Sequence, residues 1–296
     1  MAGVRTRAGI RNWLTALSYV TPALILIGGI SYFAVGYNVW LSTLTWDGVS
    51  EAKQVGLANY RALFADPVFG GALRNVAIFG VLTVTIQLAL GLLLALVLSN
   101  PMWGRGVYKA LVFVPVVLAP AAVATAFRQF LRPDGQVNQL LEGIGVTWLQ
   151  PAWLADPRIA LYALVGVNIF QWTGFSFLLY QSALSQVDTH SLEAAQLDGA
   201  STLGTVWHVV IPQLKGTHLT LILAGVIGSL KTFDLVFLLT GGGPGRSTEF
   251  LTTYIHKQGI VQFHVGYGAT LSVVLLLLAL LLTWAQAKLY RLGKDT

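Results

Sequence analysis

Apolar residues in this chain are gathered into runs, and the runs are long enough to decide the fold class. Six stand out, at roughly 14–41, 75–99, 108–131, 159–183, 217–240 and 265–289. The last contains Val273–Leu282, reading VVLLLLALLL, and a bilayer core needs roughly 20 residues of helix. Hydrocarbon offers no partner for a backbone N–H or C=O, so each run predicts an α-helix. Barrel strands would be about 10 residues long and alternate in polarity, which these do not. The expected fold is all-α: a polytopic membrane protein of six transmembrane helices forming one domain over 1–296.

Six is even, so both termini share a side. Arg5, Arg7 and Arg11 precede the first run, and Lys288, Arg291 and Lys294 follow the last. By the positive-inside rule these tails place both ends in the cytoplasm. Over all loops Lys and Arg are about evenly divided, so the orientation rests on the tails and the short Arg105–Lys109 loop. The first run carries Tyr32, Phe33, Tyr37 and Trp40 and is longer than the apolar core of a cleavable signal, so it reads as a retained span.

Composition agrees. The chain is 55% hydrophobic and 10% charged, with mean hydropathy +0.69, where a soluble domain carries about 25% charged residues. The formal charge of +6 does not point to nucleic acid, because much of it flanks the spans; the lipid bilayer is the partner it implies. No cysteine is present, which excludes disulfides and thiolate metal sites. His190, His208, His218, His256 and His264 lack metal-ligand spacing. No cofactor is expected.

The connections differ in character. Loops 42–74, 132–158 and 241–262 fall outside, with turn signals at Trp46-Asp47-Gly48, Asp66-Pro67, Pro133-Asp134-Gly135 and Gly241–Gly245. Loop 184–216 falls in the cytoplasm and holds the most informative segment, Ser191–Pro212, reading SLEAAQLDGASTLGTVWHVVIP. Leu192–Asp198 reads as a short helix with Asp188, Thr189 or Ser191 available as cap. Gly199 can end it in a left-handed conformation, a second helix follows from about Ser201, and Pro212 marks the entry to the fifth span. Small Ala194 and Ala195 allow another surface to approach closely. Two short helices bent at a glycine suit docking into a partner's groove.

In Glu193-Ala194-Ala195, then Gly199, then Val209-x-Ile211-Pro212, the segment resembles the signature loop of binding-protein-dependent ABC importer permeases. Val209 and Ile211 stand where that signature usually has Ile and Leu. The resemblance implies the ABC importer permease fold, with 184–216 as the loop that couples it to a separate ATPase. It implies that Glu193 meets basic or polar groups of the ATPase, that Ala194 and Ala195 pack in its groove beside Asp198, and that Gly199 makes the bend before Pro212. Gly56–Asn75 (GLANYRALFADPVFGGALRN), Phe233-Asp234, Leu239–Pro244, Ser247–Glu249 and Gly266-Tyr267-Gly268 are similar to the sugar-permease branch, of the maltose, trehalose and glycerol-phosphate type. The partners so implied are a second permease subunit, two ATPase subunits, an extracytoplasmic solute-binding protein and a sugar-like substrate, at a bacterial inner membrane.

A nucleotide site is not legible in the chain. Thr240–Thr248 superficially suggests a phosphate loop, but Thr240 stands at its first glycine position and Arg246 at its lysine. The segment reads as a turn at the outer face, and the chain as non-catalytic.

Ionisable groups inside spans are costly and tend to face an interior or a wet path. Lys231 and Asp234, three residues apart in the fifth run, would share a helical face, either paired with each other or lining a pore. In the fourth run Asn168, Gln171, Trp172 and Phe175 follow i, i+3, i+4, i+7 spacing. This face of amides and rings suits a sugar or polyol, or else packs helix on helix through amide bonds. Gln87 and Arg128 are secondary candidates. An ABC permease for a non-sugar solute is the alternative. A membrane enzyme would need a convergent catalytic group that is not seen, and a secondary transporter or channel would leave Glu193–Pro212 unexplained.

Overall fold

The structure, a computed structural model, describes residues 13, 17–146 and 151–292. Arg5, Arg7, Arg11, Lys294 and positions 14–16 of the first expected span lie outside the described residues, as does the side chain of Arg291. Among the described residues the fold is all-α apart from one two-residue strand pair. Four of these helices are by themselves long and apolar enough to cross a membrane, and the number is six if each of two bent helix pairs is one span. The chain gathers into two compact units, residues 1–65 with 255–274, and 66–254 with 275–296.

The first unit contains α1 (Leu17–Leu41), whose large apolar side chains are exposed except at its end, where Leu41 packs with Leu44 and Ala269. A hairpin of β1 (Leu44–Thr45) and β2 (Lys53–Gln54) follows, and then α2 (Ala58–Ala65). Asn59 ties these together, its amide donating to the carbonyls of Ser42 (2.9 Å) and Leu44 (2.8 Å). Asp47 accepts from the Val49 and Ser50 N–H groups and the Ser50 hydroxyl. Those bonds hold its carboxyl down at about 2. Gly266 explains part of the Gly-Tyr-Gly motif: a Cβ there would drive into the Leu44 carbonyl.

The second unit is built around α3 (Pro67–Val97) and α7 (Ala160–Leu184), which form the largest helix–helix interface. Sequence reading begins the second span at 75 and treats Asp66-Pro67 as a turn, whereas α3 starts at Pro67. The pair is a helix start: Pro67 occupies the first helical position, where no N–H is needed, and the Asp66 side chain accepts the Val68 N–H at 2.8 Å. The expected third span, 108–131, is divided into α4 (Arg105–Val117) and α5 (Pro120–Phe130), bent by 98°. Pro120 cannot continue the hydrogen-bond ladder and pushes Ala119 into an extended conformation. The loop after it carries α6 (Gln136–Gly143).

Beyond α7 lie α8 (Thr189–Leu197), α9 (Thr202–Gln213) and α10 (Lys215–Lys231), with a 67° bend between α9 and α10. The expected fifth span, 217–240, is also broken. After Lys231 the backbone turns extended at Thr232, and α11 (Asp234–Leu239) restarts and packs on α5. The chain then passes the glycine turn to α12 (Leu251–His256) and α13 (Val265–Leu292), whose later half belongs to this unit.

Small residues let these helices approach, as expected where lipid supplies no hydrophobic drive. A Cβ on Gly91 of α3 would lie 2.6 Å from the Ser176 Cβ of α7, and one on Gly225 of α10 would lie 2.5 Å from Val84 of α3. Gly174 of α7 sits against the Val112 carbonyl of α4 in the same way. Gly91→Val is therefore expected to cost about 1–3 kcal/mol by overpacking. Gly166→Ala, with open space around it, leaves stability unchanged or slightly raised; thermal unfolding of the detergent-solubilised protein separates the two.

Candidate functional site

Two places bring the expected residues together. The first is the segment between α7 and α10. Asp188 caps α8 through the N–H groups of His190 (3.1 Å) and Ser191 (3.2 Å), and also accepts the Ser191 hydroxyl at 2.6 Å. The Ser191 hydroxyl, then the backbone N–H of His190, hold the Asp188 carboxyl below its ordinary range. α8 ends at Asp198, and Gly199 follows at φ 76°, a left-handed conformation that glycine adopts without a Cβ penalty. The Ala200 N–H closes the turn on the Ala195 carbonyl at 2.9 Å. Ser201 then caps α9 by accepting the Gly204 N–H.

Glu193, Ala194, Asp198 and Gly199 are exposed on this bent pair, and Ala195 is half-buried. Pro212 is exposed too, yet it does not open the fifth span: α9 runs through it and the bend falls at Leu214. The helix accommodates Pro212 because the preceding turn, Val206–Val210, is wide, with the Ile211 N–H reaching back to Val206. That geometry relieves the clash a proline ring makes with the carbonyl four residues earlier. Leu192, Val210 and Leu214 anchor the segment in a core with Ala95, Leu98, Phe177, Tyr180 and Leu221. The Gln213 side chain accepts the Asp188 N–H at 3.1 Å, clamping the two ends of the segment together.

Sequence reading passed over three residues here. Leu197, Leu203 and Trp207 are 90%, 77% and 66% exposed. Large apolar groups on a polar connector were the signal available for them, since a connector in water has no use for three.

The second place is a cavity of about 360 Å³ between α3, α7, α10 and the start of α11. Asn168, Gln171, Trp172, Lys231 and Asp234 all line it, together with Gln87 and Phe175. Their roles differ. Gln171 is buried, 1% exposed, and its amide donates to the Leu118 carbonyl. That carbonyl is left over by the break between α4 and α5, so Gln171 secures the break. Gln87 donates to both the Asn168 carbonyl (3.1 Å) and the Asn168 side-chain oxygen (2.9 Å), which turns the Asn168 NH₂ into a fixed donor with no partner of its own among the described residues.

Thr83 and Ser229 spend their hydroxyls on carbonyls of their own helices. Polar groups that line the cavity without a partner among the described residues include the Asn168 NH₂, the Trp172 indole N–H, the Ser176 hydroxyl, the Lys231 ammonium and the Asp234 carboxylate. Trp172 and Phe175 stand edge to face at 6.5 Å. Lys231 and Asp234 do not share one helical face: the break at Thr232-Phe233 puts Lys231 at the end of α10 and Asp234 at the start of α11, and no ion pair joins them among the described residues. Arg128 does not line the cavity and approaches the Leu238 carbonyl at 3.4 Å.

Residues 87–292 match the family described as "Binding-protein-dependent transport system inner membrane component". The chain belongs to this family and is a multi-pass permease of the ABC transporter class. It is 32% identical to a probable ABC transporter permease, YurN, of Bacillus subtilis (strain 168), over 96% of this chain and 99% of that protein. It is 33% identical to the lactose transport system permease LacF of Rhizobium radiobacter, over 94% and 93%. Among solved structures, a bacterial alginate ABC transporter in complex with an alginate pentasaccharide-bound periplasmic protein has a chain with TM-score 0.85, 21% identity and 98% coverage of both chains.

The cap makes a testable statement about α8. A carboxylate with a lowered folded pKa stabilises the fold above its ordinary range, and that contribution is lost as pH falls through the lowered value. The protection factor of the Thr189–Leu197 amides, taken as the intrinsic exchange rate at each pH over the rate read by mass spectrometry, is expected to fall at acid pH in the natural chain. In Asp188→Ala it is several-fold lower already at neutral pH and does not fall further in acid.

Proposed function

We propose that this chain forms half of the translocation path of an ATP-driven importer for a carbohydrate or related polyol, and that residues 191–212 couple it to a separate ATPase subunit. One observation carries the coupling reading: a rigidly capped, bent helix pair whose inner side is rooted in the core while its outer side offers Glu193 and the exposed Leu197, Leu203 and Trp207. The Glu193 carboxylate has no partner among the described residues, so it is available to a basic group of the ATPase. The segment lies in the cytoplasm, and with it both termini.

The cavity supports the substrate class. Sugars and polyols present hydroxyls that both donate and accept, and C–H faces that stack on rings. Donors at Asn168, Trp172, Ser176 and Lys231, the Asp234 carboxylate and the rings of Phe79, Trp172, Phe175 and Phe233 around about 360 Å³ meet both needs. A lactose permease among the relatives and an alginate transporter of the same fold agree with a carbohydrate. The machine is completed by a second permease subunit, two ATPase subunits and an extracytoplasmic solute-binding protein.

Glu193→Lys places a cation where a carboxylate is offered. In the importer assembled with its ATPase, ATP hydrolysis is expected to continue while carbohydrate uptake falls at least tenfold, with membrane insertion unchanged. Normal uptake by this variant contradicts the coupling role.

A further inference from the structure

One hydrogen bond between the fourth and fifth spans has no part in the site described above. Tyr180 lies one turn beyond Ser176 on α7, and His218 lies one turn before Leu221 on α10; Ser176 and Leu221 both line the cavity. The Tyr180 hydroxyl and His218 Nδ1 are 2.5 Å apart. Their rings meet edge to face with centroids at 5.2 Å. Tyr180 is fully buried and belongs to the same core as Val210 and Leu214, the residues that root the segment 191–212. The pair therefore stands between the coupling segment and the cavity.

The two helices it joins differ in freedom. α7 is pressed against α3 at Gly91 and against α4 at Gly174, where backbone meets backbone. α10 meets α3 at Gly225 through the Val84 side chain and not through backbone, and it is bent from α9 by 67° at Leu214 and broken again at Thr232. Packed contacts of the first kind resist sliding, whereas breaks at element ends are where hinges absorb backbone rotation. A pull on α9 thus acts first on α10, and the bond it loads is Tyr180–His218.

We propose that Tyr180 and His218 form the latch that shuts the cytoplasmic end of the cavity, and that α10 parts from α7 at this bond when the path opens inward. Both are positioning residues: they hold a helix and do not touch the solute. The inference rests on the cavity being the path, and its test keeps the two ideas apart.

The chain has no cysteine, so Ser229→Cys supplies one thiol within the cavity. Its reaction with a membrane-impermeant maleimide is followed in inside-out vesicles holding the assembled importer. If the cavity is the path, the thiol reacts faster with ADP bound than after trapping with ATP and vanadate. In the ADP state Tyr180→Phe keeps the ring and removes the hydroxyl. It is expected to raise the rate about fivefold, the population shift that one net hydrogen bond corresponds to. His218→Gln should do the same, and the double variant should add nothing to either single change, because both remove one bond. Rates unchanged in Tyr180→Phe, or effects of the two changes that simply add, overturn the latch while nucleotide-dependent labelling leaves the path standing. A thiol that reacts alike in both nucleotide states overturns the path, and the latch with it. Reaction of the denatured variants checks that equal amounts of protein are present.

Discussion

An unbonded backbone carbonyl or N–H inside hydrocarbon costs on the order of 1–3 kcal/mol on protein mutational scales, and this chain breaks its helices twice within apolar runs. Each break is tolerated because a side chain from another element takes up what the ladder releases. At the α4–α5 break, the buried Gln171 donates to the Leu118 carbonyl. At the α10–α11 break, the Thr252 hydroxyl donates to the Thr232 carbonyl at 2.5 Å. The cavity lies between these two repaired breaks, lined by Pro120 from the first and by Lys231–Leu235 from the second. Irregular backbone at membrane depth is admitted only where protein or a wet cavity surrounds it, so the breaks and the cavity account for each other.

The same satisfaction rule explains why two distant stretches carry the look of one branch of the family. Asp66 caps α3 with one carboxylate oxygen and accepts the Tyr254 hydroxyl with the other, at 2.5 Å. Asn75 donates to the carbonyls of Arg246 and Glu249, and Phe79 meets Phe250 edge to face at 5.0 Å. Within the glycine turn, the buried Thr248 hydroxyl bonds the Gly243 carbonyl and the Thr240 hydroxyl. Residues 66–75 of the first stretch and the turn 240–250 are thus two sides of one joint at the N-terminal end of α3. They position the walls of the cavity and do not line it, apart from α3 itself.

Periodicity and length were enough to read an all-α fold of six crossings, because twenty apolar residues in lipid have one structural solution. They could not reveal the breaks. Leu118-Ala119-Pro120 and Thr232-Phe233 are as apolar as their surroundings, and only the side chains that repair them, far away in sequence, make a break affordable. The i, i+3, i+4, i+7 face of the fourth span was legible because α7 is unbroken, so Asn168, Gln171, Trp172 and Phe175 do fall on one side. The Lys231–Asp234 face was not, because its helix ends between the two. Asp66-Pro67 misled for a related reason: the same dipeptide begins a turn or a helix, and the choice depends on whether the next turn has something to pack on. His218 is tested in sequence only for metal-ligand spacing, and its bond to Tyr180 was not legible because that partner is 38 residues away.

The coupling role depends on where the bent pair between α7 and α10 lies and what covers it. Leu203→Cys in this cysteine-free chain allows a direct measurement with a membrane-impermeant maleimide. The residue is expected to be silent in intact cells, to react readily in inside-out vesicles stripped of the ATPase subunit, and to become protected when that subunit is added back. Labelling from outside intact cells, or equal labelling with and without the ATPase, contradicts the account.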